Sequence, residues 1–118
     1  MVEEVVLDTR SLHRVAIGKD DLKRLHTPVA YILGGPTDIA YPNGTDDFRR
    51  IDHVPVVLMN LPVGHGGTLP LHDGGEWARA GAAWLDWQLK NDPVAERAFT
   101  GENCTFCTAA GWTIDRKL

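Results

Sequence analysis

Two short apolar runs constrain this chain more than any other feature. Val29-Ala30-Tyr31-Ile32-Leu33 is bounded by Pro28 and by Gly34-Gly35-Pro36, and Pro55-Val56-Val57-Leu58-Met59 leads into a loop holding Gly64-His65-Gly66-Gly67. A continuous apolar run closed by Pro and Gly is the pattern of a strand covered on both faces, as in a parallel sheet. Val5-Val6-Leu7 is a third, shorter run of the same kind. Helical patterns separate them. Residues from about Lys19 to His26 carry Asp20 and Asp21 at the start and Lys23 and Arg24 near the end, matching the helix dipole, and Pro28 stops them. Tyr41-Pro42-Asn43-Gly44 reads as a turn, after which Thr45 is placed to cap a short helix through Arg50, with Asp46 and Asp47 in its first turn.

The strongest helical pattern runs from Glu76 to Lys90. Trp77, Ala80, Gly81, Trp84 and Gln88 fall on one face, and Arg79, Asp86 and Lys90 on the other. Its tryptophans read as core side chains. Asp92-Pro93 ends it, and a further short helix is expected between Pro93 and Phe99. The alternation predicts an α/β fold: a partial parallel sheet of about three strands with right-handed crossover helices and a long C-terminal helix, in a single unit over residues 1–118. So small a sheet leaves an open edge, here assigned to the Val5 strand, through which a homo-oligomer could form.

Composition narrows the function. The chain has 118 residues, 43% hydrophobic and 24% charged, which suits one folded domain. Twelve basic residues against sixteen acidic ones give a net charge of −4, which argues against a nucleic-acid partner. No apolar run approaches the roughly 20 residues needed to cross a bilayer, and the acidic start Met1-Val2-Glu3-Glu4 does not read as a signal peptide. Cys104 and Cys107 form a Cys-x-x-Cys with no second pair, so a four-ligand zinc site is not expected. Read as lying after the last helix, the pair is also out of place for a thioredoxin-like motif. Two readings stand: a local disulfide pinning the tail, favoured if the parent is exported, or a pair of free thiols.

In open α/β sheets functional groups gather in loops beyond the carboxyl ends of strands. Asp38 follows the first run and His65 the second, 27 positions apart. Neighbouring parallel strands lie roughly 4.8 Å apart, so the two loops can bring carboxylate and imidazole together. Asp38 would then hold one ring nitrogen of His65 and leave the other free as a base. The glycines around His65 are read as removing bulk so that the ring can reach the neighbouring loop. A lone Asp after a strand also serves as a turn cap, and a Gly-rich His loop also occurs simply as a loop. His53 precedes a strand and points to the opposite end of the sheet; His13 and His26 read as surface positions. A metal site from His65, His72 and a carboxylate lacks a third ligand with suitable spacing, so neither metal nor cofactor is expected.

The acid-then-histidine order, each residue following a successive parallel strand, resembles the α/β-hydrolase pattern of nucleophile, acid and histidine. The stretches from Tyr31 to Tyr41, from Val63 to Thr68 and from Trp84 to Lys90 are similar to the C-terminal portion of a bacterial and fungal α/β-hydrolase group, a likeness running from about Lys19 to Trp112. The resemblance implies that Asp38 is the triad acid and His65 the triad histidine. It also implies that the Val5, Tyr31 and Val57 strands are the sixth, seventh and eighth of a parent sheet. The implied activity is hydrolysis of a small ester-like or other carboxyl-group substrate. The chain departs from the family at the nucleophile: no Gly-x-Ser-x-Gly elbow is present, and the only serine, Ser11, lies in Thr9-Arg10-Ser11-Leu12-His13 without the necessary glycines. The segments that supply the oxyanion hole are also missing, so the chain by itself is expected to be inactive. Three function classes follow: the C-terminal part of a serine hydrolase, a stand-alone binding or self-associating module, and a small metal-dependent enzyme.

Overall fold

A computed structural model describes the backbone of residues 4–8 and 13–118 and the side chains from Ile17 onward. It is a small mixed α/β fold. A two-stranded antiparallel sheet pairs β1 (Glu4–Asp8) with β2 (His13–Ile17), and a separate three-stranded sheet has the order β3-β4-β5, with β3 at Val29–Leu33, β4 at Val56–Asn60 and β5 at Thr113–Lys117. The main sheet thus has the expected three strands but a different third member. The Val5 strand belongs to the β1–β2 ribbon and is not the sixth strand expected beside β3; the third member of the sheet is a C-terminal strand on the other side of β4. The sheet is also not wholly parallel: β3 and β4 are parallel, with Val29 opposite Val56 and Leu33 opposite Asn60, whereas β5 runs antiparallel to β4, with Ile114 opposite Met59. Ser11 lies outside the described residues.

β4 is buried throughout Val56–Met59, as its sequence demands for a central strand. β3 is not covered as expected: only Leu33 is buried and the other four residues are half-buried, because β3 has β4 on one side and no strand on the other among the described residues. Alternation along the strands sends Val57, Met59, Ala30 and Ile32 to one face of the sheet. Tyr31, Leu33 and Leu58 point to the other, where α1 (Tyr41–Arg50) crosses between β3 and β4.

α1 begins four residues before Thr45. Pro42 sits in its first turn, where a fixed φ and a missing N–H cost nothing, and the Asp38 and Ala40 carbonyls accept from the Tyr41 and Gly44 N–H groups. Asp46 and Asp47 therefore lie inside the helix and are neutralised there. Asp46 accepts from Arg49 and Arg50 at 2.7 and 2.9 Å, and Asp47 bonds both Lys19 and the Tyr31 hydroxyl. The buried Lys19 also reaches Asn43, which fastens the short 3₁₀ helix Lys19–Arg24 onto α1. Burial, together with the Asp47 carboxylate, pushes the Tyr31 phenol up. At the other end of α1, the Lys117 ammonium from β5 covers the carbonyls of Phe48, Arg49 and Ile51, as a cation at a helix C-terminus should.

The second face carries most of the core. α2 (Gly75–Lys90) lays Ala80 and Trp84 on Val57 and Met59. The chain then continues through α3 (Pro93–Glu96), α4 (Thr105–Thr108) and β5, so α2 is not its last element. Aromatic rings link these pieces: Trp84 to Phe99 at 5.2 Å, Phe99 to Phe106 at 5.5 Å and Phe106 to Trp112 at 5.1 Å between centroids. Cys104 and Cys107 are disulfide-bonded across α4, with Cys104 buried and capping the helix through an accepted Cys107 N–H. The pair therefore starts a helix instead of trailing the last one. This resolves the two cysteine readings in favour of the local disulfide.

Glu76, in the first turn of α2, ties the tail to the helix. Its carboxylate accepts from Arg79 at 2.6 and 2.8 Å and from the Trp112 indole at 3.1 Å, and the Arg79 guanidinium lies over the Phe106 ring at 4.6 Å. Those hydrogen bonds, from Arg79 first and Trp112 second, lower the Glu76 carboxyl from 4.5 to about 2. A depressed carboxyl stabilises the fold above its unfolded pKa and ceases to do so as pH falls through its folded one. Glu76→Gln is expected to cost about 1 kcal/mol at neutral pH, the full shift being discounted because the pair is partly exposed. The wild type should lose that advantage between pH 4.5 and about 2. Urea midpoints of the two proteins across this range would converge at low pH, and parallel curves would contradict the assignment.

Candidate functional site

The site is built by extending the β3–β4 register past the strand ends. Leu61 N–H donates to the Leu33 carbonyl at 3.1 Å, and Val63 and Gly64 N–H both donate to the Gly34 carbonyl at 3.1 and 2.9 Å. The two backbones approach so closely that a Cβ on Gly34 would overlap the Gly64 carbonyl. From this clamp the two loops leave side by side. Asp38 lies five residues past the end of β3 and His65 five past the end of β4.

The two side chains meet. His65 Nδ1 lies 2.7 Å from Asp38 Oδ1. A carboxylate can only accept, so Nδ1 carries a proton, and in the neutral ring the lone pair is on Nε2. Asp38 is sealed, with 2% of its side chain exposed, while the His65 side chain is 62% exposed. Asp38 also holds its own turn: Oδ2 accepts from Gly34 N–H and Oδ1 from Ala40 N–H, each at 2.8 Å. Burial drives this carboxyl upward, but the Ala40 and Gly34 N–H groups and His65 together outweigh it and hold the group below the usual carboxylate range. Asp38 is thus an ionised, anchored acceptor at neutral pH. It closes a turn and orients an imidazole with the same two oxygens.

Residues not singled out by sequence reading position the pair. The side-chain carbonyl of Asn60, the last residue of β4, accepts from Gly35 N–H at 3.1 Å and ties the Asp38 turn to the neighbouring strand. The buried Thr68 pins the far side of the His65 loop: its hydroxyl donates to the Gly74 carbonyl at 2.7 Å and accepts from Trp77 N–H at 2.8 Å. Beyond their chain neighbours nothing lies within 4 Å of a Cβ built on Gly64 or Gly66, and Gly64 adopts φ 78°, a conformation that favours glycine. Absence of a side chain is needed at Gly34 and at Gly67, which lies against the Trp77 ring.

The other histidines whose side chains are described stay apart from the pair; the side chain of His13 lies outside the described residues. His53 Nε2 donates to the Leu25 carbonyl at 2.8 Å, at the opposite end of the sheet as expected, and His26 is exposed. His72 is almost fully exposed and pairs with its neighbour Asp73. Among the described residues no group of three or more His, Cys, Asp or Glu side chains is arranged to hold a metal ion. No family model and no curated protein sequence matches this chain.

Chemically, the pair is an exposed imidazole with one tautomer imposed and its outer nitrogen free to take a proton. Asp38→Asn replaces an acceptor with a donor facing N–H groups and is expected to cost about 1–3 kcal/mol. It should also release the His65 tautomer. Heteronuclear NMR of the imidazole nitrogens at neutral pH would show Nδ1–H in the wild type and a mixture in the variant. The same mixture in both proteins would mean that the contact does not form in solution.

Proposed function

We propose that this chain is the C-terminal segment of an α/β-hydrolase, supplying Asp38 as the triad acid and His65 as the triad histidine for hydrolysis of an ester or other carboxyl-group substrate. The observation that carries this reading is the 2.7 Å contact between a buried carboxylate and an exposed imidazole, each delivered by the loop after one of two adjacent parallel strands. The outer edge of β3, unpaired among the described residues, supports it too, since the preceding strand of a larger sheet would lie there.

In such an enzyme a serine from the elbow attacks the carbonyl carbon. His65 Nε2 takes the serine proton and passes it to the leaving oxygen, while Asp38 stabilises the imidazolium through Nδ1. Water, deprotonated by the same nitrogen, then releases the acid. This chain holds the base and its orienting acid and no Gly-x-Ser-x-Gly elbow, so alone it has nothing for the base to activate.

The test joins the chain to a segment bearing that elbow, sought first in the coding sequence preceding Met1, and measures turnover of p-nitrophenyl acetate. The joined protein is expected to be active and the chain alone to match buffer. His65→Ala in the joined protein should lower kcat by about 10³- to 10⁴-fold. Turnover by the chain alone that requires His65, or a joined enzyme indifferent to His65→Ala, would refute the proposal.

A second reading is a non-catalytic, self-associating module. One observation favours it: among the described residues no strand pairs with the outer edge of β3, which contains neither proline nor charge and so lacks the usual protection against pairing. On this reading light scattering finds a dimer, and a folded monomer counts against it.

A further inference from the structure

We infer that α2 carries a docking surface for a second copy of this chain, the two α2 helices pairing antiparallel about a two-fold axis. The inference stands apart from the hydrolase reading and uses a different surface from the β3 edge. α2 has two apolar stripes. One, with Ala80 and Trp84, is buried against the sheet. The other is Ala78, Ala82, Leu85 and Leu89, separated by steps of four, three and four residues. That spacing lines side chains up along a helix and is the spacing of a seam between two helices. This line faces outward: Ala82 is exposed, Ala78 is half-buried, and Leu85 and Leu89 are 55% and 77% exposed.

The order of residues along the line selects its partner. The two small side chains come first and the two large ones last. Laid antiparallel and centred between Ala82 and Leu85, two copies set each leucine against an alanine: Leu85 meets the partner's Ala82, and Leu89 meets the partner's Ala78. Large then interdigitates with small in every layer, which lets the helices approach closely. A parallel pair would stack leucine on leucine and alanine on alanine. Charge selects the same arrangement. Arg79 and Asp86 border one side of the line, and Gly81 and Gln88, without charge, border the other. An antiparallel pair turns the charged borders toward each other and brings Arg79 to the level of the partner's Asp86, twice over by symmetry. Farther from the seam, Glu76 and the partner's Lys90 come level with opposite signs. In a parallel pair the charged border of one helix would face the uncharged border of the other, and no ion pair would form. Within one chain Glu76 holds Arg79, and Lys90 lies 3.3 Å from Asp86, yet all four side chains stay between 42% and 75% exposed and so can be reached from outside.

A helix of 16 residues is about 24 Å long, and one such contact buries less than the roughly 1,200 Å² of a standard interface, so the dimer is weak and reversible. Sedimentation velocity of the chain from about 10 µM to about 1 mM covers the range in which a contact of that size assembles. Monomer–dimer exchange is expected. Leu85→Gln/Leu89→Gln should weaken the dimer at least about ten-fold and keep the His65 Nδ1–H signal, since both side chains are exposed and the core is left intact. Asp86→Arg should weaken it about three- to ten-fold, because Arg79 then meets a like charge across the seam. Three results would each overturn the proposal: a chain that stays monomeric over this range, a dimer indifferent to the double leucine variant, which would place the contact elsewhere, and a dimer indifferent to Asp86→Arg.

Discussion

The backbone clamp between Gly34 and the Val63–Gly64 segment is the constraint on which the rest of the site depends. Two N–H groups converge on one carbonyl, and no side chain fits between the chains at Gly34. Parallel strands ordinarily diverge once their ladder ends. Here the register is carried past Leu33 and Asn60 into the loops, so the spacing of the strands becomes the spacing of the Asp38 and His65 side chains. A carboxylate and an imidazole can then meet at hydrogen-bond distance although both come from loops, the least determined parts of most folds.

The pair is asymmetric, and the asymmetry suits it to proton transfer. Asp38 is buried, ionised and saturated with donors, which makes it a fixed point. His65 is exposed and touches that fixed point through one nitrogen. Orientation comes from the interior and access from the surface. Asn60 and Thr68 extend the arrangement outward by tying the Asp38 turn to β4 and the His65 loop to α2. The same polar side chains that close turns thus hold the geometry of the site, so turn capping and a chemical role are not competing explanations for Asp38. On the proposed hydrolase reading the chain supplies a base and its orienting acid without a nucleophile elbow, so that reading requires a second segment.

Much of this was legible in the amino-acid order. The runs at Tyr31 and Val57 specified two adjacent strands because continuous apolar residues closed by Pro and Gly have few other uses, although only β4 is buried through most of its length, and the position of Asp38 and His65 just past them specified one rim of the sheet. The α2 stripe of Trp77, Ala80 and Trp84 specified a packing helix by its period. Local pattern failed where pairing or capping depended on distant partners. β5 has mostly exposed side chains and no apolar run, and is a strand because its backbone pairs with β4 and its Lys117 covers the end of α1. Thr45 resembled a helix cap, but the helix starts earlier, where Pro42 and the Asp38 turn set the first bonds.

What the sequence determined by itself was therefore the central strands, the main helix and the placement of Asp38 and His65 just past two strand ends, since hydrophobic period and punctuation act over a few residues. Tertiary structure alone decided which strand filled the far side of β4, that the Val5 strand would pair with its neighbour β2, and that Asn60, Thr68 and Gly34 would hold the loops in place. Those outcomes turn on backbone hydrogen bonds and close approaches between segments distant in the chain, and no local composition encodes them.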